Sequence, residues 1–561
     1  MFSSEQWLAN SGADFYNGVA TQSLRFDDGS SPYLTKTFSA GTSTGSGATC
    51  TFSCWIKRST ITNADQWFFT AGSSSPAWLI GFRANDNLAF GDDDGNPFVT
   101  VTSRVFRDTS AWYHIVLRVK TSETANADKY KFYVNGELQA TTFSGSPANT
   151  LFGTNVIHNI GRYPTGSAYF DGYMSDLNFV DGLALDHTNF GEAKNGVWIP
   201  KEPDVSEYGT NGFRFKYIGT GTATSSGAVT NPTNIGDDSS GKNNHFAVSG
   251  LVSSDSNMPD SPENNFCTLN PNIRPYTVTP AETVSDGNLN AFFNSSGVSG
   301  SYWSTFLLTS GKWYYEVLVS SAGGNADVGI SNSPNFAGRG TYASDARSKG
   351  YFYQKDGQKG IDNTFSSYGA TYTTNNIIGC AFDLDNNTIT FYKDNASQGE
   401  ITSVATSEDG FIPAIEGFNG ARLIANFGQD GSFAGTLTGT AIGDETDGNG
   451  YGLFKYAPPS GFLSLCTANL EEPTIGANSD TQSTDHFGIL TYTGDGAQTR
   501  TITSGASGIG GVMDFKPDWV VQKIRIGTTQ GAGNWDSTRG FAGANALDWS
   551  DTTAEGTWVG A

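Results

Sequence analysis

Short stretches of alternating apolar residues recur along most of this chain, and residues such as Gly, Asn, Asp and Pro separate them. Examples are TCTFSCWIK from Thr49, WYHIVLRV from Trp112 and YKFYVNGEL from Tyr130. A period of two puts one set of side chains on the buried face of a sheet, and the separating residues favour turns. Long stretches with helical spacing are nearly absent. The pattern predicts an all-β protein of tandem β-sandwich (jelly-roll) domains joined by Gly/Ser/Asn-rich connectors.

A chain of 561 residues is too long for one hydrophobic core, so several domains are expected. The spacing of the apolar stretches predicts their order. The expected segments are an N-terminal arm (1–22), a first β-sandwich (23–190), an extended connector (191–285), a second β-sandwich (286–430), a Gly-rich connector (431–465) and a small C-terminal β domain (466–561). The last segment finishes at TWVGA without a recognisable terminating element, and the sequence leaves open whether this domain is complete.

The net charge of −23 limits the partners of this chain. Binding to DNA, RNA or anionic bilayers depends on Lys and Arg that neutralise phosphate, so a polyanion is expected to avoid all three. The first residues, MFSSEQWLANSG, lack a basic start and an apolar run, and no stretch is apolar enough to span a membrane. We therefore expect no nucleic acid partner, no membrane insertion and no signal peptide.

Five cysteines are scattered along the chain. Cys50 and Cys54 lie four residues apart on one predicted strand, about 13 Å from each other, which is too far for a disulfide. An odd, dispersed set is typical of buried thiols that behave as small apolar side chains. This predicts free cysteines and folding in a reducing compartment.

Several motifs in the first half follow one another in the order found in a known family. They are the strand with Trp112 and His114, the following strand with Tyr133, the turn Asn135-Gly136, and Phe170-Asp-Gly172-Tyr-Met-Ser-Asp176. Residues 23–190 thereby resemble the laminin G/concanavalin-like sandwiches. The resemblance implies a two-sheet β-sandwich of the kind that includes carbohydrate-binding domains and some glycosidases.

The second half resembles SPRY domains. The residues that carry the likeness are Trp313-Tyr-Tyr-Glu316, Val328-Gly-Ile330, Ile378-Gly-Cys-Ala-Phe-Asp383, Ile389-Thr-Phe-Tyr392, Pro413 and Asn426-Phe-Gly428. The resemblance implies a bent β-sandwich whose loops bind partners and which has no catalytic chemistry of its own.

Phrases along nearly the whole chain resemble virion structural proteins of tailed bacteriophages, of the marine phage type. They are FYNGVATQSLRFDDGS, DDSSGKNNHF, NNFCTLNP, KYAPPSGFLSLCTANL, PDWVV and DSTRG. This likeness implies a virion appendage such as a tail fibre, assembled in the host cytoplasm with other virion proteins as partners. It also implies a homo-oligomer, with a trimer favoured.

A catalytic site is not expected in this sequence. His114 lies among core-type neighbours, so it is interpreted as a structural histidine rather than a general base. Retaining glycosidases need two carboxyl groups about 5 Å apart, and the nearest imitation of the glycosidase motif, Glu445-Thr-Asp447, lacks the last acid and lies in a Gly-rich loop. The prediction is a non-enzymatic protein, with glycan hydrolysis as the minor alternative.

Binding residues are expected in the loops. Aromatic rings stack on sugar rings, so Trp67, Trp78, Tyr163 and Tyr169 are candidates in the first sandwich, with core or rim packing as the alternative. Arg339, Tyr342 and Tyr368 are the candidates in the second sandwich, where SPRY domains contact partners.

Calcium is the cofactor that the sequence suggests. Asp92, Asp93, Asp94 and Asn96 form an acid-dense turn whose oxygens could hold this ion, although an Asp-Gly turn needs no metal. Asp237 and Asp238 allow the same two interpretations. No other cofactor is expected.

Two functions remain open after the sequence alone. The favoured one is a virion appendage, a tail fibre or similar adhesin, that attaches to a host-surface glycan or receptor. The alternative is a structural head-decoration or tail-collar protein whose sandwiches bind other virion proteins.

Overall fold

A computed structural model provides the fold, and it describes most of the chain up to residue 470. The described residues are 15–38, 47–62, 64–75, 77–92, 99–145, 150–229, 231–273, 282–294, 299–332, 350–402, 404, 410–470 and short segments between 486 and 548. They belong to two compact units, residues 1–471 and residues 472–561. Strands dominate both units, which confirms the predicted all-β fold class.

The first sandwich is built from strands in the first half of unit 1. In chain order they are β1 (Leu24–Phe26), β2 (Tyr33–Thr37), β3 (Thr49–Arg58), β4 (Gln66–Ala71), β5 (Trp78–Phe82), β6 (Asn87–Asp92), β7 (Thr100–Val105), β8 (Trp112–Lys120), β9 (Tyr130–Val134), β10 (Glu137–Leu138), β11 (Thr141–Phe143), β12 (Ile157–Ile160), β13 (Gly172–Asp181), the hairpin of β14 (Gly191–Lys194) and β15 (Val197–Pro200), β16 (Phe213–Phe215) and β17 (Ala247–Ser249). One short helix, α1 (Asn126–Lys129), precedes β9.

Two sheets face each other across the first core. One is seven-stranded, in the order β1-β13-β3-β8-β9-β10, with β16 also paired to β13. The other is eight-stranded, in the order β11-β7-β6-β5-β4-β12-β2-β17. The alternation of β3 directs Cys50, Phe52, Cys54 and Ile56 into the core, where the Phe52 ring stacks on the rings of Phe68 and Phe69 at 5.6 and 5.7 Å. Burying each such side chain stabilises the fold by about 1.5–3 kcal/mol.

Part of the predicted connector belongs to this sandwich. β16 pairs with β13, and β17 pairs with β2. Phe213 of β16 lies in the core, with its ring centroid 4.8 Å from that of Phe246. The structure thus extends the first sandwich past residue 190. The two strands have only three residues each and are separated by long loops, which is why their periodicity is hard to detect in the sequence.

The second sandwich follows within the same unit. Its strands are β18 (Glu282–Ser285), β19 (Asn290–Phe293), β20 (Gly300–Trp303), β21 (Lys312–Ser321), β22 (Asn325–Ser331), β23 (Gly350–Gln354), β24 (Gln358–Ile361), β25 (Thr364–Ser367), β26 (Ile377–Asp383), β27 (Thr388–Lys393), β28 (Ala396–Thr402), β29 (Ile412–Phe418) and β30 (Ala421–Asn426). They form a seven-stranded sheet in the order β18-β19-β30-β21-β26-β27-β28 and a six-stranded sheet in the order β20-β29-β22-β23-β24-β25.

Polar contacts connect the two sandwiches inside unit 1. Arg25 of β1 forms an ion pair with Asp430, and the two nearest atoms lie 2.6 Å apart. The Tyr173 hydroxyl donates to the Gly287 carbonyl at 3.0 Å. Both side chains of the ion pair are buried, so the charges must compensate each other. The sandwiches are therefore joined by specific contacts as well as by the chain.

Unit 2 contains short strands. They are β31 (Thr491–Tyr492), β32 (Ile509–Gly510), β33 (Trp519–Gln522), β34 (Gly533–Asp536) and β35 (Leu547–Asp548). β31 pairs with β32, and β33, β34 and β35 form a three-stranded sheet.

Two predictions about the chain as a whole can be compared with the structure. All five cysteines are buried and unpaired, which confirms the predicted free thiols. Within the described part of the chain, no helix has the length and apolar character needed to cross a membrane.

Candidate functional site

A bulge in β4 places Trp67 on the outer face of the eight-stranded sheet. The register between β4 and β5 shifts between Trp67 and Phe69. Because the extra residue lets Phe68 and Phe69 both reach the core, Trp67 packs on the other side, against Ala77 and Leu79. Bulges re-aim side chains in this way.

A tight hairpin, residues 163–168, covers the Trp67 ring. The Tyr163 N–H donates to the Ser167 carbonyl at 2.9 Å, and the Gly166 N–H donates to the Tyr163 carbonyl at 3.0 Å. The Trp67 N–H donates to the Ala168 carbonyl at 3.3 Å, which holds the hairpin against β4. Tyr163 and Ala168 pack partly buried on the Trp67 cluster, so one side of this tyrosine is supported.

Arg162 stands beside this hairpin in a fixed position. Its guanidinium carbon lies 3.3 Å from the centroid of the Tyr33 ring. Nε and Nη2 donate to Oδ1 of the buried Asn159 at 3.2 and 3.0 Å. A guanidinium stacked on an aromatic face is attracted by the π-electrons of the ring.

Gly166 keeps the tip of the hairpin open. Its φ of +87° favours glycine, and a Cβ atom at this position would lie 3.5 Å from Tyr169 Oη and 3.9 Å from Arg162 Nη1. The hydroxyl of Tyr169 and one guanidinium nitrogen of Arg162 therefore border the same turn. Tyr33, Arg162, Tyr163 and Tyr169 are all half-buried, and together they are called the hairpin surface below.

The structure separates the predicted aromatic candidates of the first sandwich into two groups. Tyr163 and Tyr169 contribute to the hairpin surface, and Trp67 supports it from below with 2% of its surface exposed. Trp78 is different, because it begins β5 and points into the core, where its ring lies 5.2 Å from that of Phe90. At 5% exposure it has no open face for a sugar, and it takes the role of core packing that the sequence left open as the alternative.

Sequence reasoning missed Arg162 and Tyr33. Tyr33 begins β2 and Arg162 follows the end of β12, so only the pairing of β12 with β2 brings these regions together. The one signal in the sequence was the juxtaposition of Arg162 and Tyr163 directly after a predicted strand.

In the second sandwich, Tyr368 follows the edge strand β25. Its ring packs edge-on against Tyr353 and Phe391 at centroid distances of 5.5 and 6.1 Å, and its hydroxyl accepts the Phe391 N–H at 3.3 Å. A further hydrogen bond joins this hydroxyl to the Gly399 carbonyl. Tyr368 thus serves as rim packing with a partly exposed ring. Arg339 and Tyr342 lie outside the described residues.

The predicted calcium turn is only partly described. Asp92 ends β6 opposite Trp78, whereas Asp93, Asp94 and Asn96 lie outside the described residues. Among the residues that the structure does describe, no three His, Cys, Asp or Glu side chains are arranged to hold a metal ion. Calcium at this turn stays a prediction.

The second acidic turn has a structural role in the described fold. Asp237 accepts the backbone N–H groups of Thr233 and Asn234, both at 2.9 Å. Asp238 accepts the N–H groups of Arg214 at 2.9 Å and of Asn244 at 2.8 Å. Carboxylates that accept several backbone donors stabilise loops, so these two acids hold the 233–244 segment in place.

The histidine of the opening motif is buried in the sheet. His114 Nε2 lies 2.9 Å from Ser53 Oγ, and His114 Nδ1 accepts the Trp198 indole N–H at 2.9 Å. Its ring stacks on Trp55 at 4.7 Å. Burial lowers the pKa of His114 to about 3, so the ring is neutral at physiological pH. These contacts support the structural interpretation of this histidine.

Asp447, the other acid considered for catalysis, also organises the chain. It accepts the backbone N–H groups of Asn449, Tyr451 and Ser464 at 2.9, 3.0 and 2.8 Å. It also accepts the Ser464 hydroxyl at 2.8 Å and the Asn469 side-chain amide at 2.7 Å, so it joins its own loop to the 464–469 segment.

Two family models match this chain, one for each sandwich. Residues 28–187 match the model of the concanavalin A-like lectin/glucanases superfamily, and residues 312–430 match the model of the SPRY domain. Each match covers less than half of the chain. The laminin G/concanavalin-like and SPRY expectations for the two regions are thereby supported.

Curated relatives share part of the sequence. The ATP-dependent RNA helicase Ddx1 of Drosophila melanogaster is 28% identical over 163 residues, which cover 29% of this chain and 18% of the helicase. The DDX1 helicase of Xenopus laevis is 27% identical over 168 residues, with 29% and 19% covered. The chain thus spans about a fifth of the length of these relatives.

Solved structures show the same partial likeness. The SPRY domain of human HERC1 is 18% identical, with a TM-score of 0.23, and the match covers 29% of this chain and 97% of that domain. The stonustoxin structure is 16% identical, with a TM-score of 0.22, and the match covers 28% of this chain and 27% of the toxin. The two family models show that residues 28–187 are similar to concanavalin A-like lectins and glucanases and that residues 312–430 are similar to SPRY domains.

Proposed function

We propose that this protein is a non-enzymatic adhesin whose first sandwich binds glycans through the hairpin surface. One observation carries the proposal: the fold brings Tyr163, Tyr169, Tyr33 and Arg162 to one rim around an open glycine turn. Aromatic faces stack on sugar rings, and nearby polar groups fix the hydroxyls. Tyr33 lies more than a hundred positions before the other three residues in the sequence, so its meeting with them is a property of the fold.

The absence of catalysis is part of this proposal. The support is that His114 is buried with both ring nitrogens engaged, and that the carboxylate of Asp447 accepts hydrogen bonds from its own loop and from Ser464. A general acid or base must reach the reacting atoms. Incubation with the bound oligosaccharide should release no shorter sugars. Cleavage that is lost in the Asp447→Asn variant would establish the alternative of a glycan hydrolase.

We place this adhesin on a phage virion, as a tail fibre or a similar appendage assembled in the host cytoplasm. The short sequence motifs that resemble phage virion proteins support this location. Other virion proteins are then its partners, and a homo-oligomer, preferably a trimer, is its expected state. Electron microscopy of the intact particle tests the location directly.

A glycan array followed by isothermal titration calorimetry tests the binding proposal. We expect the full chain to bind a subset of glycans, and the Tyr163→Ala variant to weaken that binding about tenfold because one stacking face is lost. Tyr368→Ala is the matched control, since it removes a partly exposed tyrosine from the other sandwich. Failure to bind any glycan, or equal affinities for the Tyr163→Ala variant and the unmodified chain, would contradict the proposal.

A structural role in the particle is the second candidate function. Phe365 of β25, an edge strand without charged residues, is 40% exposed. Edge strands without charge or proline pair readily with other strands. Burial of β25 and of the hairpin surface against other virion proteins in a particle map would favour this role over glycan attachment.

A further inference from the structure

We propose that the hairpin surface selects saccharides that carry a carboxylate, and that Arg162 is the residue that recognises it. This inference rests on the proposed glycan binding and adds the chemical class of the ligand. Uronic acids and sialic acids share the required group.

Arg162 differs from the other arginines of the first sandwich in its partners. Among the described residues between 15 and 273, every arginine other than Arg162 pairs with a carboxylate of the chain. The pairs are Arg25 with Asp255 and Asp430, Arg58 and Arg107 with Asp86, Arg83 with Asp65, Arg104 with Glu137, Arg118 with Glu123, and Arg214 with Asp176 and Glu202. In a chain of net charge −23, carboxylates are abundant, yet Arg162 bonds to a neutral amide instead.

The contacts of Arg162 fix the orientation of its guanidinium. Stacking on Tyr33 fixes the guanidinium plane, and Nε and Nη2 both donate to Asn159 Oδ1. Nη1 is left near the open Gly166 turn, on the same side as the hydroxyl of Tyr169. A side chain held in this way loses little conformational entropy when a ligand binds.

Asn159 accepts the hydrogen bonds of Arg162 while one of its own donors stays unpaired, which indicates that the position of Arg162 matters. Asn159 is completely buried, and its Nδ2 atom has no hydrogen-bond partner. A buried donor without a partner destabilises a fold. The amide is nevertheless oriented so that its oxygen, and not its nitrogen, faces Arg162.

A single arginine flanked by tyrosines also indicates the class of the ligand. Arginine donors match the planar geometry of a carboxylate, and such charge-assisted hydrogen bonds are roughly twice as strong as neutral ones. A highly charged polymer, such as a sulfated glycan or a nucleic acid, would be repelled by the net charge of −23. One cation flanked by tyrosines fits a single carboxylate on a sugar ring better than either.

Paired ligands test the inference with the unmodified chain. Calorimetry compares monomeric galacturonate with its methyl ester, and sialyllactose with lactose, so that each acidic ligand carries a single carboxylate. We expect at least one acidic member to bind about tenfold or more tightly than its neutral partner. The pair with the larger ratio identifies uronate or sialate as the ligand.

Variants then assign the preference to Arg162. The Arg162→Met variant should lose the preference for the acid while keeping affinity for the neutral sugar, and Arg162→Lys should retain only part of the preference because its ammonium lacks the planar fork. Arg422→Met is the matched control in the second sandwich, since Arg422 also stacks on a ring, Phe292 at 4.7 Å, and contacts an asparagine, Asn290.

The outcomes separate the inference from the function on which it rests. Equal binding of acidic and neutral sugars overturns the inference and leaves glycan binding intact, provided that Tyr163→Ala still weakens it. An acid preference that persists in Arg162→Met also overturns the inference. Binding of no sugar at all overturns both. Competition by a peptide with a free C-terminal carboxylate, with no sugar bound, would assign the surface to a protein partner instead.

Discussion

The two sandwiches bury charge on their central strands in different ways. In the first, β3 ends on Lys57 and Arg58, whose carboxylate partners Asp260 and Asp86 lie at 2.7 and 3.0 Å. In the second, β21 carries the buried Glu316. The Glu316 carboxyl accepts the backbone N–H groups of Lys455 and Tyr456 at 2.8 and 2.9 Å and the hydroxyl of Tyr314 at 3.1 Å.

This difference shows that one fold class can neutralise an internal charge by a partner side chain or by a docked loop.

The two sandwiches also differ in how their stability is expected to respond to pH. Burial lowers the pKa values of His114 and His158 in the first sandwich to about 3 and about 4. In the second, burial raises the pKa of Glu316 to about 7. Acid should therefore weaken the first sandwich, whereas mild alkali should weaken the second.

The largest effect is expected from breaking the ion pair of β3. Lys57→Met leaves the carboxylate of Asp260 buried without its cation, and the free energy of unfolding should fall by about 3–5 kcal/mol. Urea unfolding followed by tryptophan fluorescence measures the loss. The matched control is Lys120→Met, whose pair with Glu123 is accessible to water and should contribute far less. Similar losses in the two variants would contradict a special role for buried pairing.

The next effect is the acid sensitivity of His114. Its pKa in the folded chain lies below the unfolded value, so its contribution to stability is complete above about pH 6.5 and decreases as the pH falls towards 3. The expected loss between pH 7 and pH 4 is about 3 kcal/mol. Urea unfolding at both pH values should show a smaller loss for His114→Gln than for the unmodified chain. If the loss of stability between pH 7 and pH 4 were the same in His114→Gln as in the unmodified chain, His114 would not be the cause of the acid sensitivity.

Glu316 should give a smaller effect of opposite sign. Because its folded pKa of about 7 exceeds the unfolded value, its contribution is complete below about pH 4.5 and is lost as the pH rises through 7. Between pH 5 and pH 8 the loss is about 2 kcal/mol. The protection of the β21 amides against hydrogen–deuterium exchange, relative to their intrinsic exchange rates at each pH, should fall over this interval in the unmodified chain and stay constant in Glu316→Gln. Equal pH dependence in both would refute this assignment.

The smallest effect compares two Asn-Gly turns, one in each sandwich. Gly136 follows β9 and Gly420 follows β29, with φ values of +78° and +85°. Alanine is strained at either φ, which costs about 1 kcal/mol. Only at Gly136 would the new Cβ meet a neighbour, the Trp198 ring at 2.5 Å, whereas nothing lies within 4 Å at Gly420. Thermal unfolding should therefore show a larger decrease in Tm for Gly136→Ala than for Gly420→Ala, and equal decreases would contradict the packing of Trp198.

Much of the fold could be predicted from the sequence because the signals are local. The alternation of Cys50, Phe52 and Cys54 predicted a core strand, and Asn135-Gly136 predicted a hairpin turn. The prediction reached less far where strands are only three residues long, as in β16 and β17. It left two roles open for Trp78, core packing and sugar binding, because alternation alone does not say which side of a strand faces the core.

The candidate site was only half predictable for a related reason. Tyr163 and Tyr169 were identified as loop aromatics, but Arg162 and Tyr33 became relevant only through the pairing of β12 with β2. Residues far apart in a chain leave no local pattern when they meet. The stacking of Arg162 on Tyr33 could not be inferred without the strand order.

The amino-acid sequence by itself determined the fold class, the position of many strands and the chemistry of the turns. These depend on interactions between residues close in the chain, namely the period of two and the positive φ angles that Asn and Gly accept. Only the tertiary structure decided which charges pair across the core and which aromatic side chains share a rim. Lys57 meets Asp260, and the β4 bulge turns Trp67 outward, because sheets bring distant segments into contact.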